Sequence, residues 1–430
     1  MTSKLSRNLI LPIVSVLIAA MSLGIGIALQ GESLAMVAVY LVLGAVWLLW
    51  MSLKGINLPR LLIPLSLIYI LPMEYTFHFA LVMLCLVLIA DLYHQNMREF
   101  VVSYPFSFLI LTLFGLIALS KTYVDGGILY FISTIVVPLV CFLVITNTRK
   151  DRPALDTWMR VISLVAVLVG LYGIYIALVN PGKRIGSTWS NAMTINGFYA
   201  LSFFFCLALA FKAKLTRFRL LWIFAAIIIF LGMLFTYTRM AMLAIVFGLG
   251  LLILKYRRIR FWGLLAICLI PLLIPSSMMN RGAAVAMIDI SILIRFIAWY
   301  HAAFIIAENL LTGIGFSTWK DIYHDVIPMP IFYAQHAHNV YINLLLEIGL
   351  FGTLAYLAII FKSLVGYYRK AISPQGDMVA FCVWTGMLAL LFSCLTDIFI
   401  QQYMISLLFW ITLALMVKES GLAKLDIPQE

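Results

Sequence analysis

The sequence predicts an all-α membrane protein that crosses the bilayer many times. Of its 430 residues, 64% are hydrophobic and only 11% are charged, which leaves too little polar surface to cover a soluble globule of this size. The apolar residues also occur in runs long enough to cross a bilayer as helices. We therefore expect a chain that is solvated mainly by lipid.

Fourteen apolar segments can be placed along the chain, separated by polar breaks. The third is short and is separated from the fourth only by residues 72–75, so we expect 12 to 14 transmembrane helices. The first follows Lys4 and Arg7 like a signal peptide, but it is too long and lacks a cleavage site, so we interpret it as a span. The segments are 9–29, 34–53, 61–71, 77–92, 105–119, 128–145, 158–179, 196–211, 218–235, 240–254, 261–274, 340–361, 378–395 and 399–417.

The distribution of Lys and Arg predicts the orientation of these spans. With the N-terminus in the cytoplasm, 22 of the 29 Lys and Arg residues fall on the cytoplasmic side, and both termini lie there. This excess explains most of the net charge of +12 without a nucleic-acid partner. Seven basic residues on the outer side have no such explanation and indicate an anionic ligand: Lys121, Lys183, Arg184, Arg239, Arg281, Arg295 and Lys320.

Residues 290–307 are apolar, but they contain Arg295 and His301, and placing an arginine at the centre of a lipid-exposed helix costs about 2.5 to 3.5 kcal/mol. We therefore predict an interfacial or re-entrant helix within one long outer loop. The predicted regions are N-terminal spans (1–180), spans with outer arginine motifs (181–275), the loop with its helix (276–339), and C-terminal spans with a short cytoplasmic tail (340–430).

The cysteines and histidines give little support for a metal site. All six cysteines lie inside apolar runs and are interpreted as packing residues. His336 and His338 could form a metal pair, but the further candidates Asp321, His324 and Asp325 show no recognised ligand spacing. We therefore predict no metal.

Polar clusters at the outer ends of the spans are the candidates for chemistry. Arginine carries a permanent charge and a planar set of donors that suits phosphate oxygens, and near lipid such contacts are weakly screened. Each arginine could also be a simple interfacial anchor. A histidine kept neutral beside these cations, for which we favour His338, could accept a proton from an attacking hydroxyl. The four clusters are residues 183–196, 236–239, 295–315 and 336–341.

Four motifs occur between Lys183 and Trp410: Arg184-x-Gly-Ser-Thr; Thr-x-Thr-Arg239; Arg295-x-x-x-Trp299 followed by Glu-Asn-x-x-x-Gly313-x-Gly315; and His338-Asn-x-Tyr-x-x-x-x-x-Glu347-x-Gly349-x-x-Gly352. Together these motifs resemble the bacterial O-antigen ligase and polymerase superfamily. In two places the chain departs from the family pattern: Met240 stands where Gly or Ser is frequent, and Asn191 and Asn196 have no proline between them.

This resemblance implies a metal-independent and cofactor-free glycosyltransferase of GT-C-type architecture in the bacterial inner membrane. It implies transfer of a glycan from undecaprenyl diphosphate to an acceptor on the periplasmic face, with inversion at the anomeric carbon. The matching positions place Arg184 and Arg239 at the diphosphate and His338 at the acceptor hydroxyl, while Arg295 holds the loop helix or contacts phosphate. The neighbours predicted to contribute to substrate binding are Lys183, Thr238, Trp299, His336, Asn339 and Tyr341.

The acceptor distinguishes the activities within this superfamily. A single long outer loop favours an O-antigen ligase, for which lipid A core is the acceptor, over a polymerase or a protein O-oligosaccharyltransferase. A transporter or flippase that binds an anionic lipid remains an alternative of another class. The sequence leaves the oligomeric state open.

Overall fold

The computed structural model describes residues 62, 69–70, 102–124, 126–147, 154–189, 191–273, 290–326, 334–372 and 377–421. In these residues the chain forms helices and loops and contains no β-strand. The helices are α1 (Pro105–Ser120), α2 (Gly127–Asn147, with a π-helical turn at Ile132–Val136), α3 (Ala154–Val179), α4 (Ile195–Lys212), α5 (Thr216–Leu234), α6 (Arg239–Lys255), α7 (Arg260–Leu273), α8 (Ile290–Glu308), α9 (Trp319–Val326), α10 (Val340–Ile372), α11 (Met378–Ser393) and α12 (Tyr403–Ser420).

Six of these helices are long and apolar enough to cross a membrane: α2, α3, α4, α5, α10 and α12. The helices α1 and α11 are apolar but shorter. The all-helical membrane protein is thus confirmed, and each of the ten predicted segments from residue 105 onward coincides with a helix. The four earlier segments lie outside the described residues, apart from positions 62, 69 and 70.

Three helix ends show familiar sequence signals. Pro105 opens α1, where its missing N–H has no helical partner to lose. The Asp377 side chain caps α11 by accepting a hydrogen bond from the Val379 N–H over 2.9 Å. Gly421 ends α12 in the left-handed conformation, with φ of 76°. Local sequence therefore sets where these helices start and stop.

The centre of the bundle is formed by α4 and α12. The helix α4 packs on α11, α5 and α3, and α12 packs on α2 and α10. Hydrogen bonds join side chains across this core: Trp158 Nε1 donates to Thr412 Oγ1 over 3.0 Å, and Trp410 Nε1 donates to the Tyr356 hydroxyl over 3.2 Å. Large apolar side chains on one side of α3, such as Leu164, face outward, as expected of a helix that borders lipid.

The helix α10 is broken at Gly349, whose φ of 67° and ψ of −173° only glycine adopts readily. The segment that follows α8 crosses this break. Across the break, the Ile314 N–H donates to the Leu346 carbonyl over 2.7 Å, and the Leu350 N–H donates to the Leu310 carbonyl over 2.8 Å. The loop after α8 is therefore hydrogen-bonded to the backbone of α10 well inside that helix.

The predicted loop helix is present as α8, which packs on α10. Its interfacial position relative to a bilayer stays a prediction. Phe296, Tyr300 and Phe304, spaced four residues apart, form an exposed stripe on one of its faces.

Candidate functional site

The first two arginine motifs meet at the ends of α3 and α5. Arg184 Nε donates to the Thr236 carbonyl over 2.8 Å, and Arg184 Nη2 donates to Thr238 Oγ1 over 2.9 Å. Lys183 is exposed beside Arg184. Arg239, also exposed, is the first residue of α6, so the positive end of that helix dipole lies at the same place. Two arginines and a helix N-terminus thus form a site suited to an anion.

Asn196 forms hydrogen bonds with two threonines of this arginine site. Its Nδ2 donates to Thr238 Oγ1 over 2.9 Å, and its Oδ1 accepts a hydrogen bond from Thr236 Oγ1 over 3.0 Å. Asn196 and Thr236 are each 1% exposed, and Thr238 is 8% exposed. Because Thr238 is held on both sides, its role here is to fix the Arg184 guanidinium.

The histidine segment, residues 334–339, is fixed to the structure at several points. The Asn339 side chain caps α10 by accepting the Tyr341 N–H over 2.9 Å, and its Nδ2 donates to the Leu395 carbonyl over 2.9 Å. Trp299 Nε1 donates to the Ala337 carbonyl over 2.8 Å. The Tyr341 hydroxyl donates to the Leu391 carbonyl over 2.9 Å. Three predicted binding residues, Asn339, Trp299 and Tyr341, therefore hold the segment that carries His338.

His338 faces Asp397, which lies between α11 and α12. The distance from His338 Nδ1 to Asp397 Oδ1 is 3.8 Å, and the two side chains are 23% and 9% exposed. His338 Nδ1 is buried and lacks a hydrogen-bond partner. Burial acts to raise the pKa of the Asp397 carboxyl, but His338 and His336 outweigh burial and hold that pKa below its ordinary value. The carboxylate is therefore kept charged beside an imidazole.

His336 packs beside His338, with ring centroids 4.2 Å apart. Burial, together with the charges of His338 and Arg295, lowers the pKa of His336 from 6.5 to about 4. Arg295 Nε donates to the Thr396 carbonyl over 3.2 Å, so this arginine holds the segment that contains Asp397. His336 is thus a neutral neighbour of the His338 and Asp397 pair.

The arginine site and the pair formed by His338 and Asp397 lie at the same end of the bundle. Thr194, just before α4, donates from Oγ1 to Gln402 Oε1 over 3.3 Å. Gln402 lies in the same segment as Asp397, whereas Thr194 lies beside Asn196 of the arginine site. The opposite end of α3 and α4 carries its own ion pairs, from Asp156 to Arg160 and Lys212. The structure thus brings all four predicted clusters to one end, and the chemical roles of their residues stay predictions.

Three of the four clusters contain a residue other than glycine in the left-handed backbone region, and Ser317, two residues beyond the third cluster, is a fourth such residue. These residues are Ser187, Tyr237, Ser317 and His338, with φ between 49° and 58°. In the described part of the chain only one further such residue occurs, Tyr104. Backbone strain of this kind, roughly 1 to 3 kcal/mol per residue, is concentrated at functional sites in proteins. The left-handed backbone residues therefore occur at the same end of the bundle as the candidate functional side chains.

One group of side chains has the donor types of a metal site. Ligand atoms of His336, His338 and Asp397 lie within 4.8 Å of one another. Two atoms bound to one zinc ion lie at most about 4.2 Å apart, and His336 Nδ1 already accepts the His338 N–H over 3.3 Å. The geometry is closer to a pair formed by His338 and Asp397, with His336 beside it, than to a formed metal site.

Comparison with known families agrees with this geometry. Residues 224–357 match the family described as O-Antigen ligase. The chain carries a domain of the O-antigen ligase and polymerase superfamily. The predicted family resemblance is thereby confirmed. The matched range contains Arg239, Arg295 and His338, whereas Arg184 and Asp397 lie outside it. No curated protein matches the chain as a relative.

Asp397 is the residue that the sequence did not connect with the site. A carboxylate at the end of an apolar segment is a functional candidate by position alone, but equally a partner for an arginine. Its placement beside His338 depends on how α10 and α11 pack, since the Val340 N–H donates to the Cys394 carbonyl over 3.0 Å. No local sequence signal reports that contact.

Proposed function

We propose that this protein is an O-antigen ligase that transfers a glycan from undecaprenyl diphosphate to lipid A core on the periplasmic face of the inner membrane. The proposal includes the finer topology, with 12 to 14 spans in a GT-C-type architecture. It is supported above all by one observation: an arginine site at a helix N-terminus and a histidine and carboxylate pair lie at the same end of the bundle.

In this proposal, Arg184 and Arg239 bind the diphosphate of the donor. The anomeric carbon to phosphate oxygen bond breaks, and negative charge accumulates on the departing diphosphate. The two guanidinium groups and the α6 dipole stabilise that charge, which lowers the barrier to bond cleavage.

His338 acts on the acceptor. The acceptor hydroxyl attacks the anomeric carbon from the face opposite the diphosphate, so the configuration inverts, and Nε2 of His338 takes the hydroxyl proton. Asp397 stabilises the imidazolium that forms and favours the tautomer with the proton on Nδ1. The 3.8 Å separation exceeds a hydrogen bond, and such contacts often shorten only when substrate is bound.

The catalytic part of the proposal is tested with purified protein in liposomes, supplied with lipid-linked donor and lipid A core. We expect His338→Ala to abolish transfer with normal membrane insertion. Turnover close to that of the wild type would disprove the catalytic role of His338. A flippase that uses the arginines only for binding would move lipid across the bilayer without forming a glycosidic bond.

A polymerase of the same superfamily is the second candidate, because the family match covers both activities. A deletion strain separates them on a lipopolysaccharide gel. Bare core with accumulating lipid-linked polymer supports the ligase, and core with a single repeat indicates the polymerase. An intact ladder with an altered glycoprotein would indicate protein O-glycosylation.

A further inference from the structure

Glu347 is a buried acidic side chain that the proposed mechanism does not use. It lies in α10, two residues before the break at Gly349, and is 3% exposed. A carboxyl group buried to this extent is costly unless it is hydrogen-bonded. Its partners therefore indicate why it is there.

Glu347 binds two segments at once. Gln401 Nε2 donates to Glu347 Oε2 over 2.9 Å, and the Ser317 N–H lies 3.4 Å from Glu347 Oε1. Gln401 ends the 3₁₀ turn Phe399–Gln401, which begins two residues after Asp397. The carboxyl group thus holds the segment that carries Asp397 and the outer loop.

The same network reaches the histidine segment. Gln401 Oε1 accepts a hydrogen bond from Asn343 Nδ2 over 3.1 Å, and the Ala337 N–H lies 3.5 Å from Asn343 Oδ1. Asn343 and Gln401 are 2% and 1% exposed, so water does not compete for these contacts. Ala337 directly precedes His338, whose backbone is itself in the left-handed region.

The geometry points to Glu347 as a positioning residue that sets the separation of His338 and Asp397 through Gln401 and Asn343. It acts on both members of the pair, one through the 3₁₀ turn and the other through Ala337. Glu347 contacts no reacting atom in this scheme. The inference rests on the proposed transfer reaction, because the reaction gives the His338 and Asp397 pair its purpose.

The test compares Glu347→Ala, Glu347→Gln and Asn343→Ala in reconstituted full-length protein. We expect Glu347→Ala to lower kcat about 100-fold, since a displacement of about 1 Å in a catalytic group has this effect, with KM for the lipid-linked donor unchanged. Glu347→Gln retains an oxygen for Gln401 and is expected to restore most of the rate. The double variant Glu347→Ala with Asn343→Ala is expected to be no slower than Glu347→Ala alone, because both act through Gln401.

Thr385→Val is the matched control, because Thr385 is a fully buried polar residue that bonds only within its own helix, to the Phe381 carbonyl. It is expected to transfer at the wild-type rate. If Glu347→Ala does not insert, Gln401→Met replaces it, since it breaks the same network while conserving side-chain length. Undiminished kcat in whichever of these two variants inserts would overturn the inference.

Failure of the proposed function gives a different result. If the wild type transfers no glycan, or if His338→Ala retains its rate, the transfer reaction or its base is wrong whatever Glu347 does. If the wild type is active, His338→Ala is inactive and Glu347→Ala is fully active, only the positioning role is wrong. Additive losses in the double variant would likewise separate Glu347 from the Asn343 contact.

Discussion

Replacing Gly349 by alanine should weaken the attachment of the loop after α8 to α10. A Cβ at this position would lie 2.4 Å from the Leu311 carbonyl oxygen and 2.6 Å from the Thr312 nitrogen. The crossing segment would have to move by roughly 1 Å to restore ordinary contact, since carbon and oxygen atoms rarely approach closer than about 3.4 Å. The backbone of Gly349 also lies in a region that side chains disfavour, which costs about 1 to 3 kcal/mol.

A shift of that size breaks the hydrogen bonds that join the outer loop to α10. Three backbone bonds cross the break, at 2.7, 2.8 and 3.2 Å, and each contributes about 0.5 to 1.5 kcal/mol. Together with the backbone strain, the expected loss is about 2.5 to 7.5 kcal/mol for Gly349→Ala. The loop should therefore detach from the helix, or the whole protein should unfold at a lower temperature.

Thermal unfolding in detergent, followed by intrinsic fluorescence, measures this loss, and limited proteolysis of residues 310–317 reports local detachment. Gly250→Ala is the control, because Gly250 lies within α6 with open space around its missing Cβ. Alanine there should leave stability unchanged or raise it by up to about 1 kcal/mol. A Gly349→Ala protein with the melting temperature and protease resistance of the wild type would refute the reasoning.

Three further predictions concern the site itself. Arg184→Ala should lower transfer by about 100-fold or more, and Arg184→Lys should recover only part of it, because lysine keeps the charge but loses the paired contacts with Thr236 and Thr238; full recovery would contradict this. The pKa of His336 is lowered to about 4, so the folded protein keeps this histidine neutral, while the unfolded chain takes up a proton below about pH 6.5. The free energy of unfolding should therefore fall as the pH drops from 6.5 towards 4, and melting curves should show a less steep fall in His336→Gln. Chelation by EDTA should leave turnover unchanged, whereas a loss that added zinc restores would place an ion at His336, His338 and Asp397.

The sequence predicted the helices well because the signal for each is local. A run of apolar residues bounded by polar ones defines a span without reference to the rest of the chain, and the ten segments after residue 105 all coincide with helices. The cluster at Arg184 and the cluster at Arg239 were also recognisable, since each joins a basic residue to hydroxyl or amide side chains. Their meeting at Thr238 depends on the packing of α3, α4 and α5, which no local pattern in the sequence reports.

Contacts between segments that are distant in the chain could not be predicted from the sequence. Asp397 stands beside His338 because the start of α10 packs on the end of α11, and Glu347 contacts Gln401 because α10 also packs on the 3₁₀ turn. Asn339 shows the opposite case, in which a local rule was available. An asparagine directly before an apolar helix is a common N-cap, and the structure uses its side chain in that way.

The break in α10 also determines how chimaeras of this protein should be designed. The part of that helix from Val340 to the break is hydrogen-bonded to the loop after α8 and to the 3₁₀ turn, and it packs against α8. The part after Gly349 packs in the bundle. The described residues 290–326 and 334–348 therefore belong to one transplantable unit, whose boundary lies at Gly349 inside α10. An exchange of acceptor specificity between superfamily members should move this unit whole, together with the 394–402 segment that completes it.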